Sequence, residues 1–329
     1  MLPSSGSPAK RLPVQVLEGH TAEVWTLVFG SRFGEHEGSF LLSGGHDNTV
    51  RVWNLQALPS AADYVRIFRG HGGWVRSAAF SPEGRYVISG GYDSRVKVWD
   101  AEHYEEVRVL RGQDSPLTAA VFAPDGTRVV TGGRDGVAWL WSLAGGPPIA
   151  RLSESLAGMG AGGKPPAGAA TAGARLREGH DFLVSAAVFF PRGDQRVLTS
   201  AGDNTVRLWD LATGGQIRRL DHTGQTCALA LSDDARWILT GSDHQTALLW
   251  NVAEAQPPAE MLAGHQFEIT AVAVSHGGDL RSGRLFTGDA NGQGRLWKWD
   301  QQQWQPSATC TAGIMGRSGH PTEWWARLA

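Results

Sequence analysis

Three histidines are each followed, 18 to 23 residues on, by a hydroxyl residue, with an aspartate four and a tryptophan ten residues after the hydroxyl. The sets are His20, Ser43, Asp47 and Trp53; His71, Ser89, Asp93 and Trp99; and His180, Thr199, Asp203 and Trp209. A hydroxyl, an imidazole and a carboxylate are the parts of a hydrolytic triad, where the base takes the nucleophile's proton and the acid orients the base. A nucleophile of that kind is expected once in a chain, and here the set comes three times. The same residues suit a relay withdrawn from water. A buried indole N–H needs an acceptor and a buried carboxylate needs donors. A hydroxyl accepts from indole while donating to imidazole, and imidazole donates onward to Asp.

What must position these sets is a repeat. Six runs end in tryptophan with the same lead-in: LLSGGHDNTVRVWN, VISGGYDSRVKVWD, VVTGGRDGVAWLWS, VLTSAGDNTVRLWD, ILTGSDHQTALLWN and LFTGDANGQGRLWK. They close on Trp53, Trp99, Trp141, Trp209, Trp250 and Trp297, in steps of 46, 42, 68, 41 and 47 residues. A repeat of about 43 residues is the signature of one supersecondary unit used many times. In the second unit WVRSAAF (74–80), YVISGG (86–91), RVKVWD (95–100) and EEVRVL (105–110) read as four short strands, with Pro82 and Gly84 in the first turn. Four such strands bury no face alone, but radial neighbours bury each other, and closing them into a ring leaves only short edges.

The pairs Gly19-His20, Gly70-His71, Gly179-His180 and Gly264-His265, with the six Trp-ended strands, resemble the WD-repeat β-propeller family. Trp99-Asp100 and Trp209-Asp210 give the namesake dipeptide, and Trp53-Asn54, Trp141-Ser142 and Trp250-Asn251 its softened forms. The likeness covers roughly residues 14 to 300 and is interrupted once. It implies an all-β propeller of four-stranded antiparallel blades, six recognisable repeats and the start of a seventh, as an incomplete seven-bladed ring. It also implies that the three four-residue sets are buried tetrads, not active sites. The tetrad departs elsewhere: Gln113 replaces His beside Thr131, Asp135 and Trp141. Repeat five keeps His222, Thr240 and Trp250 but has His244 at the acidic position, with Asp243 one residue early. Repeat six has His265, Thr287 and Trp297, with Asn291 in place of Asp. Blades one, two and four are therefore expected to be the stiffest.

Residues 1–11 read as a disordered tail, 12–300 as the propeller and 301–329 as an outer strand followed by an incomplete seventh repeat or loose tail. The insert SESLAGMGAGGKPPAGAATAGA (153–174) has no aromatic to bury and reads as a disordered loop. GHPTEWWARLA (319–329) repeats GHTAEVWTLVF (19–29), with His320, Glu323 and Trp325 matching His20, Glu23 and Trp25. LPVQVLE (12–18) reads as an outer strand lacking its own blade. A fragment, a six-bladed ring, and an open ring completed by a partner strand all fit these ends.

In the resembling family, one rim carries the third and fifth residues after each His and the residue before each Asp. In repeats one to three these include Glu23, Trp25, His46, Trp74, Arg76, Tyr92 and Arg134; repeats four to six offer small or polar residues there. Trp, Tyr and Arg are the types enriched at binding hot spots, so a protein or peptide partner is expected on that side. The alternative is that Trp25 and Trp74 only pack against the neighbouring blade. Net charge is −2 and no run of five like charges occurs, which argues against nucleic acid as the main partner. No stretch approaches 18 apolar residues, so no membrane insertion is expected. The leading region has no apolar core of a signal peptide, and Cys227 and Cys310 read as free thiols in a reducing compartment, so a cytoplasmic location is expected. Neither a phosphate loop nor paired cysteines suggest a cofactor or a metal. The expectation is a non-catalytic scaffold, a monomer or one member of a multiprotein complex. The alternative is a regulatory or sensing module of a larger enzyme such as a kinase or peptidase.

Overall fold

Dense, short, β-branched segments separated by tight turns leave the chain little but antiparallel sheet to form. The computed structural model describes residues 16–57, 61, 64–144, 148–152, 179–191, 195–253, 260–275, 283–300 and 303–311. The first blade is β1 (Val24–Phe33), β2 (His36–Gly45), β3 (Thr49–Asn54) and β4 (Val65–Arg69). The second is β5 (Val75–Phe80), β6 (Tyr86–Gly91), β7 (Val96–Asp100) and β8 (Glu106–Leu110). Blade three holds β9 (Leu117–Phe122), β10 (Arg128–Gly133), β11 (Ala138–Ser142) and β12 (Ala150–Leu152). Blade four holds β13 (Val184–Phe189), β14 (Arg196–Ala201), β15 (Thr205–Asp210) and β16 (Gln216–Asp221). Blade five is β17 (Thr226–Leu231), β18 (Trp237–Ser242), β19 (Ala247–Asn251) and β20 (Glu260–Leu262). Blade six is β21 (Ile269–Val274), β22 (Leu285–Asp289), β23 (Gln293–Trp299) and β24 (Trp304–Thr311). Within each sheet the strands lie in chain order, and every pair is antiparallel. No helix occurs among the described residues.

The four strands read from the second repeat form within a residue of their expected bounds. Their exposure is another matter. The alternation of Arg95-Val96-Lys97-Val98-Trp99 suggests one wet face, yet Val96–Asp100 is buried throughout. Lys97 tolerates this because its ammonium meets the Glu106 carboxylate. Arg51 and Arg207 are buried likewise, facing Asp47 at 3.5 Å and Asp203 at 3.3 Å. Burying a cation is tolerable only with such a partner.

The apolar core lies between blades, not within them. Phe33, Leu42, Val52 and Phe68 of blade one pack with Val75, Val87 and Trp99 of blade two. Trp141 packs into blade two, Trp209 into blade three, Trp250 into blade four and Trp297 into blade five. Trp53 has no preceding described blade; it clusters with Leu41 and Tyr64, and Leu17 packs beside it. The innermost strands stack in sequence, β1 on β5 on β9 on β13 on β17 on β21. Among the described residues, β21 and β1 make no packing of that extent.

The outer strand expected after Asp300 is present as β24. Of the one expected at 12–18, residues 16–18 lie outside any strand, and 12–15 fall outside the described residues. The outer position of blade one is filled by β4. The expectations for 1–11, for 153–174 and for the repeat start at 319–329 also fall outside the described residues.

Candidate functional site

The turn between the second and third strands sets the polar geometry. In Asp47-Asn48, Asp93-Ser94 and Asp203-Asn204, the second residue takes φ of 62°, 59° and 64°. That left-handed backbone turns the Asp side chain back toward the preceding loop. There Asp47 meets His20 at 2.8 Å, Asp93 meets His71 at 2.9 Å and Asp203 meets His180 at 3.0 Å, each through Nδ1. The other ring nitrogen meets Ser43 at 2.8 Å, Ser89 at 2.7 Å and Thr199 at 2.7 Å. Each hydroxyl also accepts an indole N–H, from Trp53, Trp99 and Trp209, at 2.8, 2.8 and 2.7 Å. The hydroxyl therefore donates to Nε2, and Nδ1–H donates to the carboxylate.

Burial holds His20 and His180 below the ordinary imidazole range, against the pull of their aspartates. Burial pushes the three aspartates up, but hydrogen bonds and the facing His outweigh it and hold them below the carboxylate range. A neutral imidazole beside an ionised carboxylate fits the donor directions. Ser89 and Thr199 are fully buried, so no substrate atom reaches them.

Blade six departs from its sequence reading. Asp289, not Asn291, meets His265 Nδ1 at 2.8 Å, while Thr287 meets Nε2 at 2.7 Å and accepts from Trp297 at 2.8 Å. Asn291-Gly292 occupies the turn of Asp47-Asn48, with Gly292 at φ 78°. Asp289 stands where blades one and two have Gly45 and Gly91, paired with Ile269 as those glycines pair with Val24 and Val75. A Cβ built on Gly91 would lie 2.9 Å from His71 Nδ1. A carboxylate at this strand-end position therefore reaches the imidazole as well as one from the turn does, and the tetrad of blade six is complete.

Blades three and five are incomplete. Gln113 Oε1 accepts from Thr131 at 2.8 Å, and Thr131 accepts from Trp141 at 2.9 Å, but Gln113 Nε2 is buried with no hydrogen-bond partner. Trp250 still donates to Thr240 at 3.0 Å, yet no carboxylate bonds to His222, and His222 Nε2 has no partner. Burial drops the His222 pKa to about 4, with Asp243 raising it and His244 lowering it further.

On the rim, the fifth residue after each His is the extra residue of a β-bulge. The ladder register shifts at Trp25, Arg76, Thr118, Ser185, Cys227 and Thr270. A bulge re-aims its side chain out of the alternating pattern. In blades three and four the hydroxyl so aimed is consumed by the next blade: Thr118 donates to the Val184 carbonyl and Ser185 to that of Thr226. Cys227 is inert there, because burial raises its thiol to about 11, with Glu268 and Asp243 adding to the effect. Blades one and two instead place Trp25 and Arg76 at the bulge, and the guanidinium lies 3.7 Å from the indole centroid.

Around this pair runs a stack across blades one to three. Trp25 stacks on His46 at 4.9 Å, His46 on Trp74 at 3.9 Å, and Trp74 leans on Tyr92 at 5.2 Å. Arg134 lies 5.5 Å from the Tyr92 ring, and Glu23 faces His46 Nδ1 at 3.4 Å. Gly73 lets the loop approach, since a Cβ there would sit 3.0 Å from the Asp93 nitrogen. Trp25, His46, Tyr92 and Arg76 are half-buried, Arg134 is exposed and Trp74 is 43% exposed. The seven residues thus form one connected surface, in which Trp25 packs against the neighbouring blade while Trp74 keeps an open face. Phe182 and Phe267, the second residues after His180 and His265, are also exposed, at 59% and 46%. Counting only third and fifth positions missed them, and an aromatic right after the loop histidine was the available signal.

Among the described residues, no cluster of His, Cys, Asp and Glu is placed to hold a metal ion. No described helix is long and apolar enough to cross a membrane.

A family model for the WD domain, G-beta repeat (WD40) matches residues 11–54, 62–100, 104–142, 173–210, 214–251 and 256–298. Among curated proteins, the chain is similar to nuclear distribution protein nudF of Aspergillus niger, 34% identical over 96 residues, 29% of this chain and 21% of that protein. It is also similar to a guanine nucleotide-binding protein subunit beta of Arabidopsis thaliana, 30% identical over 130 residues, 37% of this chain and 33% of that protein. The match therefore spans a third or less of the length of either relative.

Proposed function

Because the chain belongs to the WD40-repeat family, whose model matches most of its length, we propose that it is a non-catalytic scaffold that holds protein partners on the rim of blades one to three. The observation that carries this reading is the continuous stack Trp25–His46–Trp74–Tyr92, flanked by Arg76 and Arg134, with Trp74 open to solvent. Large aromatic and guanidinium groups held rigid by their neighbours bind with little loss of side-chain freedom, as hot spots do. The reading assigns the chain no catalytic step, supported by the hydroxyls of the tetrads being buried and doubly engaged. It places the protein in the cytoplasm, as a monomer or as one member of a multiprotein complex.

The test is affinity capture from native lysate with the intact chain, then titration of each captured protein against Trp74→Ala and Arg76→Ala. Loss of a hot-spot side chain is expected to weaken a genuine partner by about 30-fold, near 2 kcal/mol. Phe182→Ala, on blade four, is expected to leave the same affinity unchanged. Partners indifferent to Trp74 and Arg76 but lost with Phe182→Ala would move the site to blade four.

A further inference from the structure

We propose that the segment seated on this rim is an acidic peptide: a carboxylate lies between Arg76 and Arg134, and an adjacent apolar or aromatic side chain covers Trp74. The proposal rests on the rim-docking reading and names the chemistry of its occupant.

Arg76 differs from Arg51, Lys97, Arg207 and Arg295 of the described blades. Arg51 faces Asp47, Lys97 faces Glu106 and Arg207 faces Asp203, while Arg295 donates to the Gly264 carbonyl at 2.7 Å. Arg76 is half-buried and has no such partner among the described residues. Its Nε is withdrawn from water with no hydrogen bond made. Burial lowers its pKa, Tyr92 pulls the other way, and a second cation, Arg134, lowers it further. His46 Nε2, in the same stack, is equally buried and unbonded. A buried donor left unbonded costs about 1–3 kcal/mol, and more when charged. A cleft that keeps two guanidinium groups together with unmet donors is complementary to an anion. A carboxylate satisfies the planar fork of Arg with two parallel hydrogen bonds.

Position and charge favour a peptide over a polyanion. Both guanidinium groups lie on or beside aromatic faces, leaving room for an apolar neighbour of the carboxylate on the open face of Trp74. At one end of the stack Glu23 presents a carboxylate. Farther round the rim, Asp243 and Glu268 bear on Cys227. A nucleic acid tracking the rim would meet these like charges, whereas one acidic side chain meets only the two arginines.

The experiment selects a phage-displayed random twelve-residue library on the immobilised full chain, then measures the enriched peptides by calorimetry. The expected sequences carry Asp or Glu beside an aromatic or large aliphatic residue. Replacing that acid by its amide is expected to weaken binding at least tenfold on the wild type and hardly at all on Arg76→Met. Arg134→Gln, at an exposed position, gives the same comparison should Arg76→Met fail to fold. Neutral or basic peptides that still depend on Trp74 would overturn the acidic inference and leave rim docking standing. Peptides indifferent to Trp74→Ala, or none enriched, would overturn both. Displacement of the peptides by a twelve-residue oligothymidylate that binds more tightly through Arg76 would reassign the site to nucleic acid.

Discussion

Replacing Asp289 by alanine should damage this fold far more than replacing Asn291, although the repeat pattern puts the acidic position at Asn291. Asp289 is 1% exposed and its carboxylate meets His265 Nδ1 at 2.8 Å, while the other oxygen accepts the backbone N–H groups of Asn291 and Gln293 at 3.1 and 3.0 Å. Alanine leaves the His265 N–H buried and unmet, a cost of about 1–3 kcal/mol, and takes the acceptor from two turn N–H groups as well. The two turn N–H groups lie close enough to solvent to be rehydrated, so about 3 kcal/mol is expected. With an unfolding entropy of about 2.1 cal/mol/K per residue, that loss lowers the melting temperature by about 4 °C in a chain of 329 residues. Asn291 is exposed, and its alanine variant should stay within about 0.5 kcal/mol. Calorimetry gives the two shifts, and amide exchange at Leu285 and Thr287 should locate the loss of Asp289→Ala in blade six. Equal shifts for both variants, or a larger one for Asn291→Ala, would refute the strand-end placement of the acid.

Acid should weaken blade five through His222. Its pKa falls from 6.5 to about 4 on folding, so the unfolded chain binds the proton first and stability drops as pH falls from 6.5 toward 4. The loss is at most about 3 kcal/mol, and His222→Gln should flatten the pH dependence of denaturant stability by about one proton in that window. An unchanged slope would refute it. Gly136 has φ 80°, and a Cβ there would lie 2.0 Å from the His180 carbonyl oxygen, whereas at Gly214, φ 72°, the nearest such oxygen is 3.5 Å away. Gly136→Ala should therefore cost more than about 3 kcal/mol and Gly214→Ala about 1 kcal/mol, and equal urea midpoints would contradict the steric argument. Amides of blades one, two, four and six, with complete tetrads, should exchange more slowly than those of blades three and five; slower opening in blade five than in blade two would reverse the ranking.

Much of this was legible in residue type and spacing. The Trp-ended runs at regular steps determine the number and order of the described sheets, because each unit supplies four short strands and one indole to bury. The triplicate His, Ser or Thr, Asp and Trp sets likewise determine their own relay, since each side chain has one role that satisfies the next. Contacts that depend on which way a side chain is aimed were not legible. Spacing assigns the acid of blade six to Asn291, but a strand-end Asp289 reaches the same imidazole from two residues away. Alternating polarity suggests wet faces on the third strands, but ion pairs within each blade, to Asp47, Glu106 and Asp203, allow Arg51, Lys97 and Arg207 to be buried. The rim shows the division most clearly. The sequence by itself determined that aromatic and cationic residues gather on three consecutive repeats. Only the tertiary structure decided that a bulge turns Arg76 onto Trp25 and that no acid in the described chain answers its charge, because the aim of a side chain is set by strand pairing and blade packing that residue order does not show.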